Sequence, residues 1–274
     1  MHRYSTEKNT TRSSLTYKGK KIAYFLAFGA AIAKSKKIIV PSLATKKDFL
    51  EYYSWLDEDK IVLAYEGVEP NLVEGVGTTN PAKTLKKYEI QKPFLLYVSS
   101  MYRHKNVDKL LEAFKILHKK YNFEGQLVLV GKKDYFSEEI FEKVCESSLE
   151  NRIKMPGIQE YVTDEELIDL RKSAELYVFP SLMEGFSLTP LEAMAQGLPC
   201  VISNIDCHKE IYEDSAVYFD PNNTSDIAEK INKVLKNPDL REQLKEKGFA
   251  QVKKYSWEET ARITLETFKE ILYS

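Results

Sequence analysis

Residues 176–192 read LYVFPSLMEGFSLTPLE, and this stretch decides the fold class. Its first four residues form a continuous apolar run, as expected for a strand buried on both faces of a parallel sheet. Glu184 follows in a loop beside Gly185, and Glu192 falls at the start of the next predicted helix. Ligands of open α/β sheets bind at the carboxyl ends of strands, and a helix start offers N–H groups and a positive dipole end to phosphate. The stretch therefore predicts an α/β protein with two carboxylates at a ligand-binding crevice.

The two glutamates differ in how well a purely structural role explains them. Thr189 can be an N-cap with Pro190 at the first helical position, and Glu192 then closes a capping box, so both interpretations of Glu192 stay open. The same start signal recurs at two other predicted helices: Thr163 with Glu166, and Ser256 with Glu259. Glu184 has no such structural explanation, and Gly185 beside it permits a tight turn or the close approach of a ligand.

Composition excludes several classes of protein. The chain has 274 residues, enough for two domains of ordinary size, and 43% are hydrophobic. A net charge of −1 argues against a general nucleic-acid binder. Three cysteines without a CxxC pair suggest reduced thiols in a cytosolic protein. The four histidines form no pattern typical of metal ligands.

From about residue 93 the predicted strands and helices alternate, which is typical of a doubly wound parallel sheet. The predicted strands are residues 94–98, 127–130, 152–155, 176–179, 200–202 and 216–219. The predicted helices are residues 107–117, 137–147, 164–174, 226–235, 238–253 and 257–272. Asn106 is expected to cap the first of these helices.

The apolar run at residues 22–33 has two interpretations. It follows Lys18, Lys20 and Lys21 and has a small-residue ending, as a signal peptide would. It is too short to span a bilayer as a helix. The preferred interpretation is a buried helix that leads to a strand at residues 37–40.

Residues 179–199, FPSLMEGFSLTPLEAMAQGLP, resemble the E-x7-E region of the retaining GT-B glycosyltransferases of family 4 almost position by position. The resemblance implies a Rossmann-like donor-binding domain at residues 91–255. It also implies an incomplete α/β remnant of the acceptor domain at residues 1–70 and a linker at residues 71–90. The helix at residues 256–274 is expected to pack back toward the N-terminal part.

The resemblance also assigns roles within the site. Glu184 is expected to be the catalytic carboxylate, and Glu192 to bind the ribose hydroxyls. Arg103 and Lys105, in the loop after the strand at residues 94–98, correspond to the basic pair that binds the diphosphate. The other donor-binding positions that the resemblance implies are Gly185, Phe186, Ser187, Leu188, Thr189 and Glu210. His208 is interpreted as a loop residue rather than a base, because no carboxylate partner is evident.

The function that the resemblance implies is transfer of a sugar from a UDP- or GDP-sugar to a hydroxyl of a saccharide or lipid-linked acceptor, with retention at the anomeric carbon. The alternative is a nucleotide-sugar-binding fragment or subunit that needs a partner chain. An epimerase or phosphorylase fits the glutamate segment less well. No DxD-like carboxylate pair is placed to hold a divalent ion against phosphates, so neither a metal nor another cofactor is expected. The expected location is the cytoplasm, with peripheral attachment at the inner membrane face as a variant, and residues 1–70 are expected to bind a second copy or a partner.

Overall fold

The computed structural model describes residues 14–69 and 80–273. The N-terminal part contains α1 (Ser14–Lys34), β1 (Ile38–Val40), α2 (Leu43–Tyr52) and β2 (Ile61–Leu63). The two strands pair in parallel, with Ile38 opposite Ile61 and Val40 opposite Leu63. Ile32, Val40, Leu56 and Ile61 form the buried centre of this part.

The rest of the chain is built on a six-stranded parallel sheet with the order β5-β4-β3-β6-β7-β8. Its strands are β3 (Phe94–Val98), β4 (Gln126–Val130), β5 (Ile153–Lys154), β6 (Leu176–Phe179), β7 (Cys200–Ser203) and β8 (Ala216–Phe219). The predicted doubly wound α/β class is thereby confirmed. The order reverses between β3 and β6, which is the switch point where ligands bind in such sheets.

Helices connect these strands and extend the chain beyond β8. They are α3 (Pro81–Lys87), α4 (Val107–Tyr121), α5 (Tyr135–Cys145), α6 (Pro156–Gln159), α7 (Asp164–Ser173), α8 (Leu188–Ala195), α9 (Asp206–Tyr212), α10 (Thr224–Leu235), α11 (Pro238–Val252) and α12 (Trp257–Tyr273). Packing pairs α4 with α10, α8 with α11, and α3 with α7. All side chains of β3, β4, β6 and β7 are buried, which explains why these strands are apolar apart from Gln126 and Ser203 at their ends.

The helix predicted at residues 22–33 forms as part of α1, but the prediction that it is buried is wrong. Ile22 is 61% exposed and Leu26 is 71% exposed, whereas Ile32 is buried. Aromatic residues of α2 and Tyr53 just after it pack against Phe25 and Phe28 on one side of α1, and most of the remaining apolar side chains of this stretch face away from them. Among the described residues, no helix is both long and apolar enough to cross a membrane.

Two segments join the N-terminal part to the large sheet. Residues 71–79 of the predicted linker lie outside the described residues, and α3 follows them with Asn80 as its N-cap. Thr84 on α3 donates a hydrogen bond to Asp169 at 2.6 Å. The last helix, α12, lies against the N-terminal part, where Lys36 Nζ donates to the Ile271 carbonyl and Lys37 pairs with Glu270 at 3.0 Å.

Candidate functional site

Lys105 and Glu184 meet where the strand order of the large sheet reverses. Lys105 lies in the loop after β3, Glu184 lies in the loop after β6, and Lys105 Nζ is 2.6 Å from Glu184 Oε1. The side chains are only 13% and 11% exposed, respectively. The loops are also joined by their backbones, because the Leu182 N–H donates to the His104 carbonyl at 2.8 Å. Adjacent parallel strands thus bring together two residues that are 79 positions apart in sequence.

Opposing effects set the ionisation of Glu184. Burial alone would raise the pKa of this carboxyl, but the Lys105 ammonium and hydrogen bonds from Lys105 and Ser181 lower the pKa below its ordinary value. Glu184 is therefore a carboxylate at neutral pH. It can accept hydrogen bonds from hydroxyls or stabilise positive charge, and Lys105 supplies a cation beside it.

The start of α8 differs from the predicted capping box. The helix begins at Leu188 rather than after Thr189, and the residue before it, Ser187, makes no side-chain cap. Glu192 therefore lies one turn inside the helix and cannot close a box with Thr189. The capping box at Thr163 and Glu166, on α7, is confirmed with both of its hydrogen bonds.

Glu192 instead pairs with Arg171 on α7, through Oε2 and the guanidinium Nη2. Arg171 is only 4% exposed, while the Glu192 side chain is 25% exposed. Sequence reasoning missed Arg171, because within α7 it reads as one more charged residue of a surface helix. The role of Arg171 becomes evident only in the folded chain, where α8 brings Glu192 beside it.

The turn between the glutamates has an unusual backbone at Ser187, where φ is 79° and ψ is 92°. The side chain of Phe186 is 2% exposed and packs against Tyr65 and Tyr255. A Cβ at Gly185 would meet its nearest neighbour, Thr45 Oγ1, at 3.5 Å, which is ordinary contact. Nothing within the described chain therefore requires glycine at position 185, and its expected role toward a ligand remains a prediction.

Arg103 is engaged by carboxylates. Its guanidinium binds Glu139 and lies 3.5 Å from Asp108, and Lys143 pairs with the same two carboxylates. The structure thus places Lys105, but not Arg103, against Glu184. The predicted contact of Arg103 with a diphosphate remains a prediction.

Glu210 and His208 both lie on α9. Glu210 accepts hydrogen bonds from the backbone amides of Leu43 and Ala44, at 2.7 and 2.8 Å, at the start of α2. Its predicted donor contact remains a prediction. His208 is not a loop residue as predicted but a fully buried helix residue. Burial lowers its pKa to about 4, and Nδ1 donates to the Ser203 carbonyl at 2.9 Å, so the ring is neutral at pH 7.

A cavity of about 310 Å³ opens beside Glu184. Glu184 and Gly185 line one side, and α1 and α2 provide an aromatic wall on the other. The aromatic residues of this wall are Tyr24, Phe25, Phe28, Phe49, Tyr52 and Tyr53. The cavity adjoins the Lys105–Glu184 pair and has room for a small polar ligand with one apolar face.

Comparison with known proteins places these features in a family. The family model described as "Glycosyl transferases group 1" matches residues 82–251. The O-antigen chain mannosyltransferase B of Escherichia coli is 33% identical over 186 residues, which cover 68% of this chain and 48% of that protein. The serotype-specific mannosyltransferase WbdA of Escherichia coli is 32% identical over 188 residues, which cover 69% and 23%. The chain thus spans about half the length, or less, of these relatives.

Solved structures agree with the sequence comparisons. A glycosyltransferase from Rickettsia africae ESF-5 superposes with a TM-score of 0.76 and 25% identity, covering 91% of this chain and 67% of that one. The HepE protein of Anabaena, solved with UDP and glucose, has a TM-score of 0.74 but only 17% identity, so it shows the fold alone. Because the family model covers more than half of the sequence, this chain belongs to the group 1 glycosyl transferases.

Proposed function

We propose that the chain binds a nucleotide sugar in the crevice between β3 and β6 and transfers the sugar to an acceptor hydroxyl with retention at the anomeric carbon. The observation that carries this proposal is the Lys105–Glu184 pair at the switch point of the sheet. A cation and a carboxylate held 2.6 Å apart match the two ends of such a donor, its anionic diphosphate and its hydroxyl-bearing sugar.

Lys105 takes the diphosphate in this proposal. The bond between sugar and phosphate breaks with negative charge building on the leaving phosphate, and a fixed cation there stabilises the transition state. The start of α8 adds backbone N–H groups and a positive dipole end, with Leu188 and Thr189 at its first positions. Lys105 therefore exchanges Glu184 for phosphate when the donor binds.

Glu184 takes the sugar, whose hydroxyls replace the ammonium as hydrogen-bond donors to the carboxylate. Glu192 lies one turn into α8, and its quarter-exposed carboxylate binds the ribose hydroxyls. Arg171 holds that carboxylate in place from the buried side. The cavity beside Glu184 then receives the acceptor hydroxyl.

The donor class follows from the relatives. The two Escherichia coli relatives are named mannosyltransferases, which makes a mannosyl donor the first to test. The acceptor class we propose is a saccharide or lipid-linked saccharide. No metal takes part in this proposal, because Lys105 and the start of α8 supply the positive charge that a divalent ion would otherwise bring.

Calorimetry with GDP-mannose and UDP-glucose, each with and without EDTA, tests the proposal. We expect one donor to bind with micromolar affinity, unchanged by EDTA, and to bind at least tenfold more weakly to Lys105→Ala, since about 1.4 kcal/mol corresponds to tenfold. Lys109→Ala, which removes an exposed pair with Glu112 on α4, is the matched control. Absence of binding by either donor, or a strict requirement for Mg²⁺ or Mn²⁺, would contradict the proposal.

The second candidate is a nucleotide-sugar-binding subunit that acts only with a partner chain. The exposed apolar side chains of Ile22 and Leu26 on α1 favour this candidate. A transfer assay on the purified chain separates the two candidates, because the subunit binds donor without turning it over.

A further inference from the structure

Side chains at the start of α2 form hydrogen bonds to the loop that carries Glu184. Ser42 Oγ donates a hydrogen bond to the Gly185 carbonyl at 2.5 Å, and Thr45 Oγ1 donates to the same oxygen at 3.2 Å. Ser42 is completely buried, and its Oγ also accepts the Thr45 amide as the N-cap of α2. We use the name α2 clasp for Ser42 and Thr45 together with the backbone amides of Leu43 and Ala44.

Glu210 completes the α2 clasp from the other side. Each of its carboxylate oxygens accepts one of the two amides, and burial together with the nearby Glu210 carboxylate raises the pKa of the Tyr65 phenol to about 12. A carboxylate at a helix N-terminus is favoured both by the free N–H groups and by the dipole. Tyr65 in turn packs against Phe186, which follows Gly185 directly. The α2 clasp therefore holds the turn after Glu184 at two adjoining residues.

These contacts bear on Glu184 through the backbone. Gly185 has no side chain to anchor its backbone, and the bonds from Ser42 and Thr45 orient its carbonyl, which lies one residue after Glu184. A misplacement of about 1 Å in such a group can cost two orders of magnitude in rate. The N-terminal part thus reaches the site through the backbone of the loop that carries Glu184.

We propose that Ser42, Thr45 and Glu210 are positioning residues that hold the Gly185 peptide, and with it Glu184, in the orientation that binds the sugar of the donor. The inference rests on the proposed function, and it gives Glu210 a role through α2 rather than through the donor itself. The sugar-dependent part of donor affinity should then depend on the α2 clasp, whereas the affinity for the nucleotide alone should not.

The experiment compares the dissociation constants of GDP-mannose with GDP, and of UDP-glucose with UDP, by calorimetry. In Ser42→Ala, Thr45→Val and Glu210→Ala we expect the ratio of sugar-nucleotide to nucleotide affinity to fall about tenfold while nucleotide affinity stays within twofold. Ser42→Thr, which keeps the hydroxyl, should restore the ratio. Lys47→Ala removes an exposed ion pair with Asp206 across the same contact and should leave the ratio unchanged.

A double-mutant cycle distinguishes the role of Glu210 from direct donor binding. If both residues act through the α2 clasp, Ser42→Ala combined with Glu210→Ala should weaken the ratio no more than either change alone. Independent losses that multiply would mean that Glu210 contacts the donor itself and would overturn its placement here.

Amide hydrogen exchange tests the α2 clasp without any ligand. Exchange at residues 184–187 should accelerate at least tenfold in Ser42→Ala but not in Lys47→Ala. If wild type binds a sugar nucleotide more tightly than its nucleotide, but neither the ratio nor the exchange changes in the variants, the inference alone fails. If wild type binds neither sugar nucleotide more tightly than the corresponding nucleotide, the proposed donor function fails. Accelerated exchange would then show only that the α2 clasp holds the loop.

Discussion

At the scale of single residues, the Lys105–Glu184 pair places two charges in a site that is almost fully buried. Nearly complete removal from water is costly for each charge, and each is tolerated because the other lies beside it. Such a pair contributes little net stability compared with apolar residues of similar volume. Loss of one partner, in contrast, leaves the other charge buried and uncompensated.

Lys105→Met should therefore make stability depend on pH in a new way. In wild type the folded-state pKa of Glu184 is lowered, so the pair adds stability above pH 4.5 and this stability is lost as the pH falls through the folded-state pKa. In the variant we expect burial to raise that pKa. The variant should lose about 3 kcal/mol at pH 7, and its deficit relative to wild type should shrink toward pH 4.5 as Glu184 is protonated.

Urea unfolding from pH 7 to pH 4 measures this effect. Lys109→Met breaks the exposed Lys109–Glu112 pair and should change stability by less than about 0.5 kcal/mol, equally at every pH. A deficit in Lys105→Met that is the same across this range would show that Glu184 does not become an uncompensated carboxylate.

Glu192 and Arg171 allow stability and binding to be separated. Glu192→Gln leaves the buried guanidinium of Arg171 without its anion and should cost about 2 kcal/mol of unfolding free energy. Adding Arg171→Met removes the buried charge and should recover most of that loss. Nucleotide affinity should stay about tenfold low in both variants if Glu192 binds ribose. Recovery of affinity together with stability would leave Glu192 a structural role only.

At the scale of elements, a residue with a strained backbone precedes the helix that carries Glu192. The positive φ of Ser187 is costly for any residue with a Cβ, and its buried Oγ has no hydrogen-bond partner among the described residues. Ser187→Gly and Ser187→Ala both remove the hydroxyl, but only glycine relieves the backbone. Glycine should therefore be more stable than alanine by about 1 kcal/mol in thermal or urea unfolding. Equal stability of the two variants would mean that the backbone at position 187 carries no strain.

Element positions that follow from local sequence were predicted well. The strands at residues 94–98 and 176–179 have the predicted bounds, because strands buried on both faces must be apolar throughout, and the half-buried edge strand at residues 216–219 also has its predicted bounds. The capping-box interpretation placed the start of α8 two residues too late, since Thr189, Pro190 and Glu192 have the residue types of a helix start but the helix already begins at Leu188. Asn106 precedes α4 as predicted but does not cap it, because its side-chain amide donates to the Pro180 and Pro221 carbonyls instead.

At the scale of the whole molecule, the site depends on contacts that no local pattern contains. The motif identified Glu184 and Lys105, and the order of the parallel strands brought them together. The partners of Arg103, Glu192 and Glu210 come from other helices, at separations of 36, 21 and 167 residues. Burial of α1 could not be judged from its composition either, because the extent of the surface opposite a helix is a tertiary property.

The last prediction concerns the exposed apolar surface of the N-terminal part. Ile22, Leu26, Tyr52 and Trp55 are each more than half exposed, and such surfaces mark partner sites or aggregation liabilities. Under the second candidate function, we expect the purified chain to bind donor, to transfer sugar slowly or not at all, and to associate through residues 1–70. Multi-angle light scattering should show a species larger than 31.7 kDa that Leu26→Glu returns to the monomer. Leu265→Glu on α12, where Leu265 is 53% exposed, should leave the association intact. Rapid sugar transfer by a wild-type chain that is entirely monomeric would contradict this prediction. It would mean that the aromatic cavity between α1, α2 and Glu184 serves as an acceptor site without a partner.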